Sequence, residues 1–478
     1  MALDGGPMVR ARTRRAAFRA GGTGLGLLLA ACGGTAPAPA APAASTSAPA
    51  APTSAPVRAV EPTAAPKAKA PVTLVLNGTD AEMGEMAAAR LPAFEKQFPH
   101  VKIQYDNPPD YSTKLFVLAA AGSLGDVSMA YTNQGQYHFL SQNDVFADHE
   151  PFIARDKYDL KQFYDLAIQA LRVNGKLYVL PFKGQIARLF LFFNLDAFEA
   201  RGVPLPTAAW TYQDLLSAST KLHRAEGDQV QMWGYAGAWK ELTTMIGSVR
   251  PWGGEIISAD GKKALTSSPQ VRESLQFHYD LALKHRTGGL TTQIDPNKAF
   301  YEGKAAMLGR VNAGTAGTIL QQVAGKFRWG AVRMPKGPTG VRGGMWLPGA
   351  MSVTKNTKNP DDAWELTKWC CDKEAGVALS MQRMGSSTPG ARPDVYADAR
   401  LMVRDGYPAT YGEEQRLAML EPEPYITAWN YLGADLNTIL GNELDKVTKG
   451  EAAVNDGFLQ NVTGQLQAVL DKPPSRLR

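Results

Sequence analysis

Cysteine is scarce, with three in 478 residues at Cys32, Cys370 and Cys371. Neighbouring side chains such as Cys370 and Cys371 diverge on a helix and would close only a strained ring. Both are expected to be reduced and buried, leaving core packing to hold the fold. Histidine is also rare: the six residues form no His-x-x-His or HExxH group, and no cysteine pair has zinc spacing, so neither metal nor cofactor is expected. A phosphate-cradling P-loop is absent, and the one G-x-G-like run, Gly22 to Gly26, lies in the N-terminal apolar segment. Internal repeats and all-β patterning are missing too, which argues against an adhesive or structural module.

Excess charge is also lacking once its position is considered. The formal net charge is +6, but residues 1–31 hold five arginines against the single acid Asp4. Subtracting these from 51 basic and 45 acidic residues leaves 46 and 44, a net of +2. That balance is too even for neutralising nucleic-acid phosphates.

The N-terminus reads as an address. Arg14 and Arg15 stand beside Phe18, ahead of Ala20 to Ala30, an apolar stretch diluted by four glycines. The stretch is shorter than the roughly 20 residues of a membrane-spanning helix and has the layout of a secretion signal over 1–31. The paired arginines resemble a twin-arginine signal, with the general secretory route as the alternative and Met8 as an alternative start. Leu29-Ala30-Ala31-Cys32-Gly33 resembles a bacterial lipobox, in which the Cys32 thiol would receive the lipid. Residues 32–71 are then a lipid anchor and a tether of Ala, Pro, Ser and Thr, too rich in proline to pack a core.

Beyond the tether the pattern turns globular. Val72 to Leu76 is a β-rich run ending at the turn signal Asn77-Gly78. Leu91, Phe94 and Phe98 share a helical face over 86–98, Pro99 stops the helix, and Val101 to Tyr105 alternates as a second strand. Strand, helix and strand in this order predict a parallel βαβ unit. A helix over 113–121 and a strand over 126–131 follow. Thr211 and Asp214 have the spacing of a capping box.

Eight segments, in order, resemble the family 1 extracellular solute-binding proteins of ABC importers. They include Phe94-Glu95-Lys96-Gln97-Phe98-Pro99, Ala119-Ala120-Ala121-Gly122 with Gly125-Asp126-Val127 (glycine where proline is usual), and Gly175-Lys176-Leu177-Tyr178-Val179-Leu180-Pro181. Phe193-Asn194-Leu195-Asp196, Trp210-Thr211-Tyr212-Gln213-Asp214-Leu215, Gly253-Gly254-Glu255-Ile256, Gly303-Lys304-Ala305-Ala306-Met307 and Asn359-Pro360-Asp361-Asp362-Ala363-Trp364 complete the series. The resemblance implies an α/β, two-lobe periplasmic-binding-protein-like fold with a hinge and an interlobe cleft. Its lobes are expected over 72–182 plus 299–345 and 183–298 plus 346–470, with crossings near Lys183, Lys298 and Trp346. It implies a monomeric binding protein, not an enzyme, held by lipid on Cys32 at the outer face of the cytoplasmic membrane. The protein would deliver its small-molecule ligand to a permease and its ATPase.

A sugar site wants aromatic platforms and side chains that both donate and accept. Trp239, Trp252, Trp346 and Trp429 lie in glycine- or proline-flanked loops, and Trp252 and Trp346 are expected to flank the ligand. Polar candidates follow strands, where parallel-sheet clefts open: Thr79, Asp80 and Glu82; Asn133 and Gln134; Lys183 and Gln185; and Arg310. Carbohydrate is the expected ligand, with a polyamine, an iron complex or a peptide as alternatives. A secreted carbohydrate-active hydrolase is the enzymatic rival, but Asp80 and Glu82 are too close in sequence to flank a bond. Ser123 in Ala121-Gly122-Ser123-Leu124-Gly125 follows a helix and precedes a strand, the reverse of a nucleophile elbow.

Overall fold

The computed structural model describes residues 69–131, 135–237, 241–289, 294–383, 388–421, 423–474 and 476. The signal, Cys32 and the tether as far as residue 68 lie outside them. At Lys69, inside the expected tether, the chain is already anchored: its ammonium sits 2.9 Å from Asp362 Oδ1, which also meets His100 Nε2 at 3.0 Å.

The expected βαβ unit opens the first lobe. β1 (Val72–Asn77) and β2 (Val101–Asp106) pair in parallel, Val72 opposite Val101 and Asn77 opposite Asp106. The helix Asp80–Gln97 crosses between them, burying Met83, Met86, Leu91 and Phe94. β3 (Val127–Ala130) joins the other side of β1, and β4 (Leu180–Lys183) ends this run. Asp126 is structural: it accepts from Val75 N at 2.8 Å and Thr357 Oγ1 at 2.6 Å. Gly125 has a steric reason, because a Cβ there would lie 2.5 Å from the carbonyl oxygen of Val75.

After β5 (Ile186–Ala187), the second sheet grows around β6 (Phe190–Asn194), a continuous apolar run buried along its whole length. Such a run belongs at a sheet centre, where both faces are covered. Its partners are β9 (Met307–Val311) and β10 (Trp329–Arg333), both antiparallel, while β7 (Tyr235–Gly237) and β8 (Gly288–Gly289) extend the sheet beyond β9. The chain returns through β11 (Met345–Trp346) and adds β12 (Gly349–Val353) to the first sheet, antiparallel between β3 and β4. β13 (Glu423–Pro424) is the last crossing, after which the helices Gly433–Thr448 and Asp456–Leu470 pack on the second core. Among the described residues no helix is long and apolar enough to cross a membrane.

These pairings correct the expected lobe boundaries. Residues 299–345 carry β9 and β10 and belong with the second lobe, because both strands flank β6. Residues 349–380 belong with the first, since β12 and the helix Pro360–Cys370 pack in its core. Lys298 lies in the helix Pro296–Tyr301 and marks no crossing. The three crossings are β5, β11 and β13, which together form a small hinge sheet: Trp346 faces Ile186 on one side and Pro424 on the other. The capping box forms as read, with Thr211 N donating to Asp214 Oδ2 at 2.8 Å and Asp214 N to Thr211 Oγ1 at 3.3 Å.

Candidate functional site

A cleft of about 320 Å³ opens between the two sheets beside the hinge. The first lobe contributes Glu82, from the first turn of the helix Asp80–Gln97, together with Tyr131 and Gly349. The hinge strands carry Gln185, Leu347 and Pro348 to its floor. From the second lobe come Arg188, Glu241, Thr243, Asn297, Val311, Asn312 and Thr315. Three helices, Asp80–Gln97, Leu242–Val249 and Thr315–Val323, each place a first-turn residue on its wall: Glu82, Thr243 and Thr315.

Two ion pairs flank it. Lys183, only 1% exposed, pairs with Glu82, and its ammonium lies 5.9 Å from the Tyr131 ring centroid. Gly349 makes room for this buried lysine, since a Cβ there would lie 2.6 Å from Lys183 Cγ. Burial, then the nearby Glu82 charge, raises the Tyr131 phenol above its usual range, so it stays a neutral hydroxyl. Across the cleft Arg188 pairs with Glu241 and donates from Nε and Nη2 to Thr243 Oγ1 at 3.2 and 3.0 Å.

Arg310 lies directly behind that wall. It is completely buried, and its Nη1 donates to the carbonyls of Arg188 at 3.4 Å and Arg342 at 3.2 Å. Among the described residues Nε and Nη2 have no partner, and the guanidinium stands 5.5 Å from the Tyr212 ring centroid. Burial, then the charge of Arg188, lowers its pKa to about 9.

Of the polar residues singled out in sequence, Glu82 and Gln185 line the cleft, while Lys183 lies beneath Glu82 and Arg310 behind Arg188. Thr79 instead holds the N-cap position of the first helix, where its carbonyl accepts from Glu82 N and Met83 N at 3.0 Å, and Asp80 turns outward to accept from Asn107 Nδ2 at 2.5 Å. Asn133, Gln134 and Trp239 lie outside the described residues.

The tryptophans correct the expected platforms. Trp346 is wholly buried against Tyr164, ring centroids 5.2 Å apart, because its strand is the middle one of the hinge sheet. Trp252 packs in the second core on Tyr212, Phe277 and His278 at 4.6, 5.5 and 5.3 Å. Neither flanks the cleft. Trp429 donates from its indole to Leu470 O at 2.6 Å and borders a separate groove of about 560 Å³ along β13. Sequence reasoning missed Tyr131, Arg188, Glu241, Thr243, Asn297 and Thr315. The helix starts at Leu242 and Thr315 were the available signal for three of them.

The model of the bacterial extracellular solute-binding protein family matches residues 89–403. A Brucella abortus protein named as a binding protein is 25% identical over 393 residues, which is 80% of this chain and 88% of that one. The Listeria monocytogenes ABC substrate-binding protein Lmo0181, solved with cycloalternan, superposes with a TM-score of 0.71 at 19% identity, covering 84% of this chain and 99% of that one. The GacH receptor of Streptomyces glaucescens, solved unliganded and with acarbose, gives 0.69 at 18%, covering 85% and 100%. Maltose-bound MalE3 of T. maritima gives 0.67 at 18%, covering 83% and 100%. With two sheets joined by three crossing strands and a polar cleft between them, the chain belongs to the bacterial extracellular solute-binding protein family.

Proposed function

We propose that this protein captures a carbohydrate in the interlobe cleft and hands it to the permease of an ABC importer, held at the outer face of the cytoplasmic membrane by lipid on Cys32. The polar lining of the cleft carries this reading. Glu82, Glu241, Gln185, Asn297, Asn312, Thr243 and Thr315 supply the mixed donors and acceptors that a ring of hydroxyls requires. A volume of about 320 Å³ is at the small end of ligand sites, which suits one or two sugar units. Glu82 and Gln185 are assigned to the ligand directly, and Lys183 acts by holding Glu82 in place. Asn133, Gln134 and Trp239 are kept as ligand candidates from the sequence alone. Structures of similar fold hold cycloalternan, acarbose and maltose, in keeping with this ligand class. ATP hydrolysis and passage across the bilayer would fall to partner proteins.

A thermal-shift screen against mono- and oligosaccharides, polyamines and amino acids tests the reading, since a ligand that binds only the folded state raises Tm by mass action. A dose-dependent rise with one sugar class supports it. A response to polyamines or peptides alone overturns the carbohydrate assignment.

A further inference from the structure

The cations around the cleft outnumber the carboxylates. Glu82 and Glu241 face it with Arg188, and Lys183 and Arg310 stand directly behind, which makes three cations against two acids. The surplus charge is Arg310. Buried Arg250, Arg333 and Arg342 and half-buried Arg188 each hold a carboxylate, from Glu255, Glu414, Glu421 and Glu241 respectively. Arg310 holds none, and two of its nitrogens have no partner among the described residues. The undescribed segments within the globular chain cannot supply one. Residues 132–134, 238–240, 290–293, 384–387 and 422 contain no aspartate or glutamate.

An unpaired buried guanidinium is costly, and the two residues that follow it in sequence, Val311 and Asn312, line the cleft. One helix start adds to that positive charge: the helix Thr315–Val323 has neither an acid in its first turn nor a side-chain cap. Arg188 is the point of contact: it borders the cleft, and its partner Glu241 is 56% exposed on its side chain, free to swing toward water when another anion arrives.

We propose that the ligand is an acidic carbohydrate, a uronic acid or a short oligomer ending in one, whose carboxylate docks on Arg188 and supplies the counter-charge that Arg310 lacks. This rests on the carbohydrate reading and narrows it. The hydroxyls would be met by Glu82, Gln185, Asn297 and Asn312 on the remaining walls.

The test is calorimetric titration of the full chain with glucose, galactose and mannose, their uronates, and the matching dimers, at low and high salt. The expected result is binding of at least one uronate ten-fold or more tighter than its neutral parent. The preference should shrink at high salt and vanish in Arg188→Gln. In Arg310→Met, the neutral parent should keep its affinity while the uronate falls toward it. If Arg310→Met does not fold, Arg188→Gln and the salt series carry the test. Neutral sugars bound as tightly as their uronates would overturn this inference and leave the carbohydrate reading standing. Uronates favoured in wild type and equally in Arg188→Gln would remove Arg188 as the docking group. Silence toward every sugar with binding of a non-sugar carboxylate such as aspartate would overturn the carbohydrate reading and keep the anion. Silence toward all of these would overturn both.

Discussion

Arg188 and Arg310 each donate from Nη1 to the other's backbone carbonyl, at 3.3 and 3.4 Å, and both hold a left-handed backbone with φ of 62° and 60°. A non-glycine residue in that region costs on the order of 1 kcal/mol or more. The reciprocal bonds hold two strained residues together at the edge of the cleft. Replacing Arg188 with Ala removes one bond, leaves the Arg310 carbonyl short of a donor and frees Glu241 and Thr243. The expected cost is about 2 kcal/mol, read as a lower urea midpoint with an unchanged slope.

Glu82 and Lys183 form the second pair, with the lysine the more deeply buried partner. Glu82→Gln leaves a buried ammonium without a counter-charge and should cost about 3 kcal/mol. Lys183→Met should cost less, because Glu82 keeps its access to solvent. The double variant should be more stable than Glu82→Gln alone, a non-additivity that thermal unfolding of the three proteins will measure.

Trp346 separates packing from binding. Trp346→Ala should lower stability by about 3–5 kcal/mol, the usual range for emptying a large aromatic site. Trp346→Phe should leave ligand affinity within about two-fold of wild type, because the indole never reaches the cleft. A ten-fold loss of affinity in a well-folded Trp346→Phe would return the residue to the site.

Acid should destabilise the fold through its buried histidines. His149 is fully buried, accepts from Val353 N at 3.3 Å through Nε2, and has its pKa lowered to about 3 by burial. His278, also buried, is lowered to about 4 for the same reason. An unfolded histidine titrates near about 6.5, so below that pH the unfolded chain binds protons that the native state refuses. The stabilisation is complete above about pH 7 and is lost as pH falls from about 6.5 toward these lowered values. Tm measured at pH 7.5 and pH 5 should drop, and the drop should be smaller in His149→Gln.

The adjacent cysteines should be silent. Cys370 and Cys371 are buried and unbridged, and burial raises the first thiol to about 12 and the second well above its usual range. Iodoacetamide should leave both unmodified in native protein and alkylate them once urea unfolds it, as mass spectrometry would show; reductant should leave Tm unchanged.

What could be read from sequence was local. The βαβ opening and the capping box at Thr211 and Asp214 each rest on contacts within a few dozen residues. Period and cap chemistry report such contacts directly. The family order of motifs carried the two-lobe fold, but not which segment belongs to which lobe. β12 enters the first sheet from more than 160 residues beyond β4, and the antiparallel pairing of β9 and β10 on β6 leaves no local mark. The loop tryptophans misled for a related reason. Glycine beside Trp252 and Trp346 marks a tight chain path, and a tight path at a hinge buries the ring as readily as it exposes it.

The order of family motifs thus implied a two-lobe α/β chain, and positions just after strands named Glu82 and Gln185 as candidates for the cleft. Only the tertiary structure decided that Arg188, Glu241 and Thr243 meet them there. It also decided that Arg310 stands behind them without a counter-charge. Burial and charge pairing are sums over neighbours distant in sequence, and no single stretch of chain contains them.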